Sequence, residues 1–165
     1  MKTTELRPNQ IITLNDYPLY SNNVFDEYLD RCKRGEGLAL VPVISKDVVR
    51  GYFGAELSPI FSEFEAQNPA AEYFMLDGSH RTTALTLAGR SIAVAIYEAD
   101  LDIREARDLV ATGRILENGT LDLTLAENCE VLNRYFAGKP YFMTVLQKAE
   151  KMVQEGHIPS QALTA

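Results

Sequence analysis

The pattern of apolar and polar positions predicts strands that alternate with helices over the first hundred residues. Short apolar runs predict strands at residues 11–14, 38–45, 73–76 and 91–99. Apolar residues spaced three and four apart predict helices at residues 24–34 and 58–67, and a further helix that begins near Ser79. Residues 46–57 show neither pattern and are expected to form a loop. The fold class predicted is therefore α/β (α+β), a small mixed sheet with flanking helices.

The pattern beyond residue 100 is mainly helical. Helices are expected at residues 100–111, 124–138 and 141–155, the second opening on a Thr-x-x-Glu capping box. Asn-Gly between apolar residues predicts a hairpin over residues 115–123, and the tail 160–165 is expected to fray. We divide the chain into a core, residues 1–100, and a C-terminal helical extension, residues 101–165, packed on the same domain.

Several features of this pattern leave alternatives open. Pro42 indicates that its strand lies at a sheet edge or carries a bulge. The helix at residues 58–67 either packs on the sheet or covers a binding site as a lid. Lys148 and Lys151 are either solvated or supply a charge to a phosphate. An aromatic corner is a candidate dimer contact in a homodimer, a pocket wall or ordinary core, and comprises Tyr135, Phe136, Tyr141, Phe142 and Met143.

Composition and charge narrow the class of protein. A chain of 165 residues with 46% hydrophobic content has material for one core. Its 16 basic and 23 acidic residues give a net charge of −7, which argues against DNA as a partner. The one dense basic cluster, Arg31, Lys33 and Arg34, is expected to be a solvated helix end. Neither an apolar run of membrane length nor a secretory signal is visible, so we expect no membrane association and a cytoplasmic protein.

The cysteines and histidines do not form a metal-binding pattern. Cys32 and Cys129 give neither a disulfide framework nor zinc-ligand spacing. His80 and His157 are too few and too far apart for a metal cluster. A transition metal is therefore not expected.

The candidate chemistry lies where the strand at residues 73–76 runs through Asp77 and Gly78 into a helix. The first amides of a helix lack intrahelical partners and carry the positive end of its dipole, so they bind anions. The planar fork of an arginine also meets phosphate oxygens in pairs. We therefore predict an electropositive phosphate site formed by Gly78, Ser79, His80, Arg81 and Thr82. The alternative is a strand, turn and helix capped by serine with no ligand.

These residues resemble the ParB/sulfiredoxin superfamily, whose members carry a D-G-x-H-R or G-x-x-R loop after a strand. The resemblance covers residues 10–100: Asp-Gly-Ser-His-Arg at 77–81, the strand at 91–96, and upstream the strand, helix and strand at 11–14, 25–32 and 38–44. Membership implies a nucleotide-binding fold whose loop holds the phosphates of a nucleoside di- or triphosphate. Sulfiredoxins reduce sulfinic acid with a cysteine in this loop. Here Ser79 takes that position, so such reduction is not expected.

The D-G-x-H-R form is similar to the branch of free serine kinases, which phosphorylate a small molecule with a nucleotide and magnesium. The resemblance implies that Asp77 organises the metal or accepts the hydroxyl proton, and that His80 takes part in catalysis beside it. This branch also depends on a glutamate near its opening strand. Asp16, Asp26 and Glu27 are the only substitutes in this chain.

The expected function is a magnesium-dependent phosphotransferase, a small-molecule kinase, or a nucleotide hydrolase. Its catalytic residues would be Asp77 and His80, and its metal ligand Asp77. The alternative is a non-catalytic ParB-like regulator or DNA-partition-type protein that senses a nucleotide.

Overall fold

A five-stranded mixed sheet lies at the centre of the computed structural model, which describes residues 1–19 and 22–158. The strands are β1 (Lys2–Leu6), β2 (Ile11–Ile12), β3 (Val41–Ser45), β4 (Tyr73–Met75) and β5 (Ile92–Ile96). Their order across the sheet is β1-β5-β3-β4-β2. The pairs β3–β5 and β2–β4 are parallel, whereas β1–β5 and β3–β4 are antiparallel. The predicted mixed sheet is confirmed.

Helices cover both faces of this sheet. They are α1 (Asn22–Lys33), α2 (Lys46–Arg50), α3 (Leu57–Gln67), α4 (Ser79–Leu87), α5 (Asp100–Asp108), α6 (Leu125–Gly138) and α7 (Val145–Gln154). Successive residues of a strand point to opposite faces, so Val43 joins a core with α1, α4 and α7, whereas Ile44 joins a core with α3, α5 and α6. The flanking helices expected from the pattern are therefore present, and the extension after residue 100 contributes to both cores.

Two elements of the fold lack a clear sequence signal. The edge strand β1 is mostly polar and only Leu6 among its residues is buried, so it shows no apolar run. The predicted loop at residues 46–57 is wrong in its first part, where α2 forms. Ser45 caps this helix by accepting a hydrogen bond from the Asp47 amide, and Val49 anchors it in the core.

Of the two alternatives for Pro42, a sheet edge or a bulge, the sheet edge is wrong, because β3 lies between β5 and β4 in the middle of the sheet. Pro42 lies just beyond the end of β4, where its carbonyl accepts a hydrogen bond from the Leu76 amide at 2.9 Å. A proline is tolerated there because the missing N–H falls where pairing with β4 has ended.

Two boundaries in the extension also differ from prediction. The hairpin at residues 115–123 is absent, because the Asn118 side chain accepts from the Thr120 amide and starts a short 3-10 helix, Gly119–Asp122. The last helix begins at Val145 rather than at residue 141, since Thr144 and Gln147 form its capping box. The tail predicted to fray lies outside the described residues.

The open alternatives for α3 and for the aromatic corner are decided by packing. Leu57 and Phe61 bury α3 against the sheet, so it packs there and is not a lid. Phe142 lies at the centre of an aromatic cluster, with ring centroids 4.7–6.1 Å away, formed with Phe53, Phe61, Phe64, Phe74 and Phe136. Phe136, Phe142 and Met143 are therefore core, whereas Tyr141 is largely exposed. Tyr141, Phe142 and Met143 also line a cavity of about 360 Å³, so the corner is pocket wall as well as core.

The basic cluster at the end of α1 is solvated, as the charge pattern predicts. Arg31 and Arg34 both pair with Glu36 at the end of α1 instead of forming a free basic patch. Within residues 1–19 and 22–158, every helix is too short or too polar to cross a bilayer.

We predict that Phe142→Ala lowers the free energy of unfolding by about 3–5 kcal/mol, because it empties the centre of a packed aromatic cluster. Tyr141→Ala is the matched control, since its exposed ring should contribute within about 0.5 kcal/mol. Urea unfolding measures both. Equal effects of the two substitutions would show that the segment before α7 does not pack as described.

Candidate functional site

Two neighbouring parallel strands deliver acidic residues to one edge of the sheet. β2 pairs in parallel with β4, so both strands end at the same edge. The chain that follows β2 reaches Asp16, and the chain that follows β4 reaches Asp77. Both carboxylates line a cavity of about 230 Å³ together with Leu14, Val24, Tyr28, Gly78, Ser79, His80, Arg81 and Leu116. The ends of parallel strands are where α/β folds tend to bind ligands.

Of the three acids that could replace the glutamate of the kinase branch, only one lies at this cavity. Asp16 lines the cavity, whereas Asp26 and Glu27 are exposed on α1 and do not. The loop that carries Asp16 is held by the extension, since the Asn15 amide donates to the carbonyls of Lys139 and Tyr141 at 3.1 and 2.7 Å.

Gly78 makes the turn between β4 and α4. Its φ of +113° lies in the region that favours glycine. A Cβ at this position would also lie only 3.1 Å from Arg81 Nη2 and 3.3 Å from Val41 Cγ2. Gly78 is the residue before the helix, so the expectation that Ser79 caps α4 is wrong, and no side chain caps its first turn.

Arg81 lines the cavity, but its guanidinium donates hydrogen bonds to acceptors within the protein. Its side chain is 3% exposed. Nη1 donates to the carbonyls of Ala39 and Leu40, both at 2.9 Å, and Nη2 donates to Asp77 Oδ2 at 3.1 Å. Burial lowers the pKa of this guanidinium, although Asp77 partly offsets the effect. Arg81 therefore fixes the turn, and the prediction of a free fork for phosphate is corrected.

Two residues of the predicted phosphate site, Ser79 and Thr82, use their hydroxyl groups within the protein. The buried Thr82 hydroxyl donates to the Gly78 carbonyl at 2.9 Å, within its own helix. The Ser79 hydroxyl donates to Asp16 Oδ1 at 2.9 Å. What this turn can offer a ligand is therefore its backbone amides, not these side chains.

His80 differs from its neighbours because part of it has no partner. Its Nε2 atom is buried and makes no hydrogen bond within the described part of the chain, while the half-buried residue lines the cavity. Leaving a buried polar atom unpaired costs about 1–3 kcal/mol, and such an atom in a cavity is commonly matched by a ligand.

Lys148 is buried and supports the site through Asp16, so the alternative of a solvated lysine is wrong. It is 1% exposed, and its ammonium donates to Asp16 Oδ1 at 2.5 Å and to the Leu14 carbonyl at 3.3 Å. Burial lowers the pKa of this ammonium, and Asp16 partly restores it. A signal was available in the sequence. Position 148 falls on the buried stripe of α7 with Val145, Ala149 and Met152.

The electrostatics of the cavity differ from the electropositive site that we predict from the motif. Asp16 is paired with Lys148 and Asp77 with Arg81, so two acids offset two bases. The carboxylate side chains remain 43% and 41% exposed. Positive potential for an anion comes from the start of α4 rather than from a free cation.

The donor set of this cavity fits magnesium bound together with phosphate. No group of three His, Cys, Asp or Glu side chains in the described part of the chain could hold a metal alone. Magnesium usually takes one or two carboxylates plus substrate phosphates. Asp16 and Asp77 supply two such carboxylates, and each has one oxygen that makes no hydrogen bond with the described residues.

The cysteines take no part in the site. Cys32 and Cys129 are buried, and neither lines the cavity. Burial raises the pKa of the Cys129 thiol to about 11 and also raises that of Cys32. A thiolate nucleophile is therefore not available here.

No protein-family model, curated protein or solved structure matches this chain. The resemblance to the ParB/sulfiredoxin superfamily remains an expectation carried by the residues quoted for it.

We predict that Arg81→Ala lowers the free energy of unfolding by about 3 kcal/mol or more, because two buried carbonyls and Asp77 lose their donor. Arg104→Ala, an exposed position on α5, is the control and should change stability by less than about 0.5 kcal/mol. Thermal and urea unfolding report both changes. A silent Arg81→Ala would contradict a structural role for this guanidinium.

We predict energetic coupling between Lys148 and Asp16. A double-mutant cycle with Lys148→Met and Asp16→Asn should give about 1–2 kcal/mol, reduced from a fully buried pair because Asp16 is partly solvated. Lys148→Met alone should be mild, since it removes the desolvation cost of a buried ammonium. Additive effects of the two substitutions would show that the pair does not interact.

Proposed function

We propose that this protein binds a magnesium–nucleotide complex and transfers or hydrolyses its terminal phosphoryl group. A kinase that acts on a hydroxyl-bearing small molecule is the preferred form. The supporting observation is that Asp16, Asp77 and the uncapped first turn of α4 meet in one open cavity. Phosphoryl transfer depends mainly on positioning and charge neutralisation, and these groups can supply both.

The start of α4 is the proposed phosphate-binding element. The amides of Ser79, His80 and Arg81 precede the first intrahelical hydrogen bond, which runs from the Thr82 amide to the Gly78 carbonyl. These amides, together with the positive end of the helix dipole, would donate to the phosphate oxygens.

Asp16 and Asp77 are the proposed ligands of magnesium. Lys148 and Ser79 hold one oxygen of Asp16, and Arg81 holds one oxygen of Asp77. The orientation of each carboxylate is thereby fixed while its second oxygen stays available. When bound, magnesium would neutralise charge on the phosphate oxygens.

His80 is the proposed acceptor of the proton from the substrate hydroxyl. Imidazole is the most common general base in enzymes. His80 lines this cavity, and its buried Nε2 has no hydrogen-bond partner among the described residues. Asp77 is a second candidate for this role, because it lies beside the same turn.

The partners of this activity follow from its chemistry and charge. We infer a nucleotide and a small-molecule acceptor as ligands and a cytoplasmic location. A net charge of −7 disfavours DNA.

Turnover assays test the proposal directly. Purified protein is incubated with ATP, ADP or CTP, with magnesium or with EDTA, and with or without serine-like acceptors, while nucleotide binding is measured by calorimetry. We expect magnesium-dependent binding, and a loss of turnover of about 10²-fold or more in His80→Gln. Asp77→Asn should weaken magnesium-dependent binding. Asp108→Asn, exposed on α5, is the matched control and should behave as wild type.

Nucleotide binding without turnover would exclude the enzymatic function and favour the alternative, a nucleotide-sensing regulator. No binding of any nucleotide, or unchanged binding in Asp77→Asn, would overturn the proposed site.

A further inference from the structure

We propose that Val24 and Leu116 form an apolar clamp at the mouth of the cavity that holds the base of the nucleotide. This inference rests on the proposed function and adds to it, because it assigns recognition of the base to residues outside the phosphate-binding turn. The resulting ligand class is a nucleotide rather than a simple phosphate ester or polyphosphate.

The side chains of Val24 and Leu116 are apolar but partly exposed to water, which is energetically unfavourable. Val24 is 41% and Leu116 is 38% exposed, and both line the cavity that contains Asp16 and Asp77. They come from separate parts of the chain, α1 and the segment that precedes the last 3-10 helix. Two apolar side chains from distant segments thus flank a polar cavity.

Leu116 is held in its exposed position by its neighbours. Ile115 is buried in the core at 1% exposure. Glu117 pairs with Arg107 at 2.7 Å, and the Leu116 carbonyl accepts a hydrogen bond from the Asn118 amide group at 2.9 Å. These contacts on both sides of Leu116 hold its backbone in place, so its side chain lines the cavity from a well-anchored segment.

Val24 is placed by the packing of α1. Phe25 and Leu29 bury one side of this helix in the core. Val24 and Tyr28, four residues apart, therefore share the side that lines the cavity. With Leu14 and Leu116 they supply the apolar part of the lining, and Asp16, Asp77 and the turn into α4 supply its polar part.

The size and polarity of the cavity select the class of ligand. A volume of about 230 Å³ is below the range of about 300–1,000 Å³ usual for drug-sized ligands. Because the volume is small, we place only the phosphates deep in the cavity, beside Asp77 and the start of α4, and the flat face of the base against the partly exposed side chains of Val24 and Leu116. Aliphatic contacts carry no hydrogen-bond information, so we expect adenine and cytosine nucleotides to bind with similar affinity.

The test compares a ligand that has a base with one that has none. Affinities for Mg-ADP and for magnesium pyrophosphate are measured by calorimetry in wild type, Val24→Ala, Leu116→Ala and Leu101→Ala. Leu101 is 56% exposed and lies away from the cavity, so it is the matched control. Removing either clamp side chain should weaken Mg-ADP about three- to tenfold and leave pyrophosphate unchanged. Leu101→Ala should change neither affinity.

Each outcome separates this inference from the function on which it rests. If Leu116→Ala and Val24→Ala weaken both ligands equally, or weaken neither, the clamp is wrong while the phosphate site stands. If wild type binds pyrophosphate but gains nothing from the base, the clamp is also wrong. If wild type binds neither ligand, the proposed function fails together with the clamp. Circular dichroism spectra of each variant are to be recorded as a control for folding.

Discussion

The site depends on the burial of one guanidinium. Arg81 links the carbonyls of Ala39 and Leu40, which precede β3, to Asp77 in the turn after β4. A charged group is taken out of water only when its donors are satisfied. These contacts leave the turn little freedom, and they require a glycine at position 78 because any larger residue would meet the same guanidinium.

The proposed function requires a chain with excess negative charge to bind an anionic ligand, and the charges around the cavity are compatible with this. Each acid at the cavity is balanced by an internal base, so the acids repel a phosphate less than free carboxylates would. The amides at the start of α4 add fixed partial positive charge at low cost in reorganisation, because the helix holds them in place. The side chains of these acids remain 41% and 43% exposed, as the proposed magnesium site requires.

Much of the fold follows from local sequence patterns, whereas the site depends on contacts that no local pattern contains. The apolar runs around Val43 and Phe74 are strong signals, because strands buried on both faces require them. β1 is invisible to such reasoning since its polar residues need only backbone pairing with β5. Arg81 is visible as a candidate residue, but the two backbone carbonyls that accept from it lie about forty positions earlier in the chain. Tertiary hydrogen bonds of this kind decide whether an arginine is a ligand or a support.

The buried ammonium of Lys148 also bears on the modularity of the chain. It reaches Asp16 from a helix 132 positions away in sequence, and Leu116 contributes to the same cavity from the region between them. The chain after residue 100 therefore supplies one lining residue of the pocket, Leu116, and the counter-charge of another, Asp16. Grafting the D-G-S-H-R turn with its flanking strands onto another scaffold would transfer the motif without its counter-charge, and would leave Asp16 and its loop without their anchors.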